Sequence, residues 1–481
     1  MIETITHFNI AVSGFPFQKI TKLSIVHRVN EHAEAVIEGE LDSGAAKDYV
    51  QRVDESTIVT VTTTAQKQPS ILFCGCVKSL NLMNETEYSK VQLVLSSTSC
   101  RLDVEKKNKT YQNTAKTYGQ IITANIKDIA DLHMMVSDKA IGALIMQYNE
   151  TDWEFGKRMA SQLKAPFVTN ITSERPQIYV GLPPASQTKE IEATSYSSGS
   201  DTNTYQQMSA STSVMQQDFS EERVKSYAYV YLGDMVLLNG KKRLIKGVTA
   251  ELSDGILELV YSLLQTGGSA STPGGGTSAS TGNLSGIAVP ATPNVQSAGK
   301  MMKGIVKAVS KDKVQVHLTD IDKGGYDEGG SWWFPYSTAY SSSDGSGWYC
   351  MPEEGDEVRV FFPSGNEADA FAASSVCATP PANPKHKSWK APGGKQILLT
   401  DEGLYIIAKE GKIYINLTDE KGIEIYSEKA INISSDTAVN IQAGTEVRIV
   451  AENEITVGTE GAYLDITKDT AALAASNVII N

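Results

Sequence analysis

Between Ile415 and Val457 the branched aliphatic residues fall into two columns that advance eight residues at a time. The first column is Ile415, Ile423, Ile431, Val439, Val447 and Ile455; the second, two residues later, is Leu417, Ile425, Ile433, Ile441, Ile449 and Val457. Residues at i and i+2 share one face of a strand, and the polar runs "SSDT", "AGTE" and "AENE" between the pairs supply corners. The helical spacing of three and four is absent, and a constant step of eight excludes heptads. A single-chain parallel β-helix needs three strands per coil, and its coils vary in length. The octad therefore predicts three identical chains wound round one axis, each giving one strand per layer to a shared core. With layers about 4.8 Å apart, such a rod runs roughly 30 Å and has no lateral edge strands. An antiparallel hairpin sheet with accidental regularity is the alternative.

The chain has 481 residues, room for three or four domains, so the ladder is one part of a larger object. A net charge of -13 without a long basic stripe excludes a duplex nucleic-acid binder, since "EKKNK" and "NPKHKSWK" are short. The N-terminus lacks a basic region followed by an apolar core, and no run of eighteen apolar residues occurs, so the chain is expected to start in the cytoplasm. Cys74, Cys76, Cys100, Cys350 and Cys377 have no paired metal spacing and read as core thiols.

Residues 1–265 read as a hub of two β-rich segments, about 1–102 and 166–265, on either side of a helical region. In that region Tyr118, Ile121 and Ile122 fit one helix face. Thr151 and Glu154 form a capping box ahead of Phe155, Met159 and Leu163. Residues 266–299 are nearly all Gly, Ser, Thr, Ala and Pro, the composition of a flexible linker. Residues 300–377 have the size and turn-rich texture of a small Greek-key barrel. A Pro-rich connector, 378–393, leads into the ladder domain, 394–481.

Four stretches resemble the hub-and-spike proteins of contractile injection systems, which include the VgrG family of type VI secretion, R-type bacteriocins, extracellular injection particles and contractile phage tails. They are "VNEHAEAVIEGEL", "MQYNETDWEFGKRMASQL", the barrel from "GIVKAVSKDKVQVHL" to "GDEVRVFFPSGNEADAFAASS", and the octads. The resemblance implies a mainly β, multidomain homotrimer: two tube-like β domains per hub, an OB-like barrel, and an intertwined triple-stranded β-helix. Three hubs would present six such domains to a hexameric inner tube. The family also implies baseplate proteins, a PAAR-like tip protein at Val478, Ile479 and Ile480, and contact with a tape-measure protein or an effector. The target membrane would be touched transiently. Such particles are assembled in the bacterial cytoplasm and are then released or act across the envelope.

Chemistry has little to stand on. Some similar phage spikes carry a muramidase between barrel and rod, but the short gap after Cys377 leaves no room for one. Asp152 and Glu154 lie in a first helical turn, where the helix dipole favours negative charge. The six histidines share no metal-binding spacing, and no G-x-S-x-G motif is present. The aromatics Trp332, Trp333 and Phe334 suggest a barrel core or trimer seam before carbohydrate stacking. No catalytic residue, cofactor or metal is expected. The leading reading is a structural hub and membrane-piercing spike; a β-helical cell-wall or polysaccharide hydrolase and a trimeric receptor-binding fibre are the alternatives.

Overall fold

The computed structural model describes residues 4–42, 51–65, 69–84, 88–186, 188–200, 206, 220–265, 287, 289–326, 329–330 and 332–478. They form two compact units, Met1–Ala378 and Thr379–Asn481.

In the first unit the two β-rich segments join in one twelve-stranded sheet. The join is an antiparallel pairing of Lys19–Arg28 with Lys241–Ser253, which sets Ile25 opposite Ala250 and His27 opposite Val248. Alternation makes the inner face: in Glu34–Asp42 the residues Ala35, Ile37 and Leu41 are buried, while Glu34, Glu38 and Glu40 stay half-exposed. The hairpin from Lys241–Ser253 to Ile256–Gln265 turns on Asp254 and Gly255, both at positive φ, as a two-residue turn between twisted strands requires.

Helix α1, Tyr118–Ile126, starts at a Thr117–Gln120 capping box and buries Tyr118, Ile121 and Ile122. Helix α2, Asp152–Gln162, starts at the Thr151–Glu154 box and buries Phe155 and Met159, with Leu163 partly buried against the same core. Trp153 and Phe167 complete that second core. Five strands then close a barrel: Lys300–Ser310, Lys313–His317, Trp333–Ser337, Phe371–Ala373 and Glu357–Phe362. Phe334 is in its core, Trp332 packs against the edge of that core, and Trp333 is half-buried.

Two expectations need correction. The segment 266–299 is not a linker throughout: residues 266–286 and 288 lie outside the described residues, but Asn294 and Ser297 are buried and hydrogen-bonded. Three polar contacts of Thr292 and Asn294 with α2 and its neighbours outweigh the composition. Nor are all cysteines core thiols. Cys74 and Cys76 are buried, but Cys350 and Cys377 sit exposed in loops beyond the barrel strands.

The second unit differs from a uniform ladder at both ends. Ile415 and Leu417 lie in the strand Ile413–Thr418, which pairs antiparallel with Gly422–Ser427, so that Ile415 faces Ile425 and Leu417 faces Ile423. At the far end Ile455 and Val457 lie in Glu454–Thr459, opposite Ile466 and Leu464 of Ala462–Thr467. The turns explain this. Gly411, Gly422 and Gly461 hold positive φ and close hairpins, whereas no residue of 428–453 does. The two-residue turn Glu460–Gly461 also explains why the octad slips by one: it sets Leu464, seven residues on, across from Val457. Between the ends, residues 428–453 form no strand, and Ile431, Ile433, Val439, Ile441, Val447 and Ile449 are exposed.

Candidate functional site

Two features of the chain ask for a partner or hold one. The first is the ladder. Its middle side chains are 51% to 73% exposed, with Ile433 at 73% and Ile441 at 72%. Ile415, Leu417 and Ile455 are half-buried by their hairpin neighbours, while Ile423, Ile425 and Val457 remain exposed. The structure thus splits the twelve columnar residues between two hairpin sheets and an unpaired middle, and leaves most of them without cover from the same chain. Val478 is about half-exposed, and Ile479 and Ile480 lie outside the described residues.

The second is the joint between hub and barrel, which sequence reasoning missed. Helix α2 projects Arg158, 4% exposed, into a buried cluster. Its Nε and Nη2 donate to the two carboxylate oxygens of Glu150 at 2.7 and 2.8 Å, and Nη2 also donates to the Met146 carbonyl at 2.6 Å. Its Nη1 reaches Oε1 of Glu367, in the barrel, at 3.1 Å. Asn294 donates from Nδ2 to the same Glu367 oxygen and to the Met146 carbonyl, at 3.0 and 2.9 Å. Burial works against the Arg158 charge, but the hydrogen bonds and charges of Glu150 and Glu367 outweigh it and hold the guanidinium above its ordinary range. The visible signal was an arginine placed between Phe155 and Met159 on a buried face; nothing in the sequence pointed to Glu367.

Asp152 is structural. It is the first residue of α2, where the helix dipole favours its charge, and accepts from Lys107 Nζ at 2.6 Å and Gln147 Nε2 at 3.2 Å. The His32 ring packs at a 30° tilt against Trp153, centroids 4.1 Å apart, and its Nδ1 hydrogen-bonds Ser99 Oγ at 2.8 Å, tying the first β segment to α2. Among the described residues, no three His, Cys, Asp or Glu side chains are placed to hold a metal, and no helix is long and apolar enough to cross a membrane.

Residues 302–376, the barrel, match the family described as the type VI secretion system/phage-baseplate injector OB domain. The chain has a VgrG-like hub-and-spike fold. An E. coli protein, c3393, described as a type VI secretion component with structural similarity to the phage T4 tail proteins gp27 and gp5, superposes with a TM-score of 0.55 at 15% identity. That match covers 76% of this chain and 99% of the other. A chain of the lidded Francisella PdpA-VgrG complex gives 0.52 at 8% identity, over 84% of this chain and 76% of the other. The half-lidded form gives 0.51 at 8%, over 87% of each. No curated protein sequence matches the chain. The VgrG-like likeness is one of fold; of the two features above, the joint is completed within the chain and the ladder is not.

Proposed function

We propose that this chain is the subunit of a homotrimeric central hub and spike in a contractile injection particle, working through stiffness and shape. The observation that carries the reading is the ladder: a VgrG-like chain leaves aliphatic side chains at octad spacing exposed over 428–453, a stretch with no strand pairing of its own. Exposed apolar strips of this length are otherwise aggregation hazards. Three copies winding together would cover them and pair their backbones.

In this reading the hub nucleates the hexameric inner tube: each chain joins two β-rich segments in one twelve-stranded sheet, and three chains would offer six segments as landing sites. Baseplate proteins surround it, with a tape-measure protein or effector as further cargo. The spike pierces the target membrane. A PAAR-like tip protein caps the end at Val478, Ile479 and Ile480, one copy per trimer. The particle assembles in the bacterial cytoplasm.

Light scattering on the purified full chain tests the proposal. The expected mass is three times 52.0 kDa; a stable, soluble monomer at micromolar concentration refutes it. Coexpression with neighbouring small reading frames tests the tip, and a chain shortened at Ser476 should lose the partner it recruits.

A further inference from the structure

We infer that the interface between hub and barrel, and not the covalent run through residues 266–288, is what holds the barrel on the hub. Two independent sets of contacts lead there. The first is apolar. Leu144 and Met146, from the hub strand Ile145–Glu150 and the residue just before it, are 1% and 0% exposed and belong to the barrel's own core beside Val306, Val316 and Phe334. A barrel lifted off the hub would open that core to water, and the hub would present two bare apolar side chains.

The second set is polar and buried. Glu367 is 5% exposed and its Oε1 accepts from Arg158 and Asn294, so separation would strip a buried guanidinium of one carboxylate. On the other side of the joint, Asp322 accepts from the backbone N–H of Thr110 at 2.7 Å and also from the Thr110 hydroxyl. The chain entering the barrel is itself bound to α2: the Thr292 N–H donates to Ser161 Oγ at 2.9 Å, and Gln162 Nε2 donates to the Thr292 carbonyl at 3.0 Å. Apolar centre, buried charge pair and flanking hydrogen bonds together describe a permanent interface rather than two beads on a string. Its use rests on the hub-and-spike reading: a load on the spike would reach the hub through this joint.

The test is to place a protease site within residues 271–280 of the full chain, cut it to completion, and follow both pieces by size exclusion. We expect the hub piece to co-elute with the barrel-and-ladder piece. Glu367→Ala together with Asn294→Ala should weaken that association on the order of a hundredfold, as removing one partner of a buried charge pair does. The milder Asp322→Asn, with its folding checked by circular dichroism, should weaken it less but measurably. Wild-type pieces that part on cutting overturn the inference, and so does a cut complex that neither variant loosens. A trimeric ladder piece that sheds its hubs defeats this inference alone, whereas a monomeric complex of the two pieces supports it and defeats the trimer.

Discussion

Leu23 and Ile25 in the hub and Ile431 and Ile433 in the ladder are aliphatic pairs at the same i, i+2 spacing, yet the first two are fully buried and the last two are 54% and 73% exposed. The hub strands find partners within the chain because the turn at Asp254–Gly255 and the pairing of Lys19–Arg28 with Lys241–Ser253 fold the second segment onto the first. The middle of the ladder has no such turn. An apolar period therefore states which side chains need cover, and turn chemistry decides whether the same chain can provide it. Where glycines hold positive φ, at 411, 422 and 461, even the ladder folds back on itself.

The sharpest way to break this contrast is to charge both regions. Ile433→Asp with Ile441→Asp would put six carboxylates in the proposed shared core, each costing several kcal/mol if left unpaired. The expected result is loss of the oligomer by light scattering with the hub's melting transition unchanged. A trimer that survives both substitutions would show that the ladder's apolar strip is not its seam.

A smaller effect is expected at the joint, which behaves like the hub and not like the ladder. Arg158→Met leaves Glu150 and Glu367 buried without their cation and should cost the first unit about 3–5 kcal/mol. Urea unfolding should report this as an earlier hub and barrel transition at constant oligomeric mass. If instead the stability is unchanged, the buried pair contributes nothing that packing cannot replace.

Part of the fold was legible because it is written in short-range pattern: alternation in Glu34–Asp42 and the Thr151–Glu154 box at the start of α2. What was not legible is long-range. Glu367 meets Arg158 across 209 positions, and no local rule links them. Composition hid Asn294, whose Gly, Ser, Thr and Pro neighbours look like linker although its side chain is buried. The continuous twelve-stranded sheet was likewise invisible, since pairing of Ile25 with Ala250 depends on the fold between them.

Within the hub, burial has a titratable cost that the exposed ladder lacks. His27 is buried, its Nε2 donates to the Thr169 carbonyl at 2.9 Å, and its Nδ1 has no partner. Burial pushes its pKa down to about 4 from 6.5, with the Thr169 carbonyl pulling weakly the other way. The folded state therefore holds the neutral ring while the unfolded chain takes up a proton first. Stability is full above pH 6.5 and falls as pH drops towards 4, by about 3 kcal/mol in all. His27→Gln keeps a donor for Thr169 and should flatten that slope. Melting curves from pH 7 to pH 4 that fall equally in both proteins would assign the acid loss to other groups.

The smallest expected effect separates the two halves of the segment between hub and barrel. Asn294 is anchored by two hydrogen bonds, but Ser271–Ser280, "STPGGGTSAS", lies outside the described residues and carries only its composition. Loop-closure entropy changes with the logarithm of length, so removing ten of the 23 residues from 266 to 288 alters stability by about 0.5 kcal/mol, in the stabilising direction. The joint should be untouched, because none of its contacts draws on those residues. Differential scanning calorimetry of the deletion should therefore overlay the wild-type trace to within a degree or two. A large fall in melting temperature would mean that Ser271–Ser280 packs as Asn294 does, and that composition misled on both sides of residue 288.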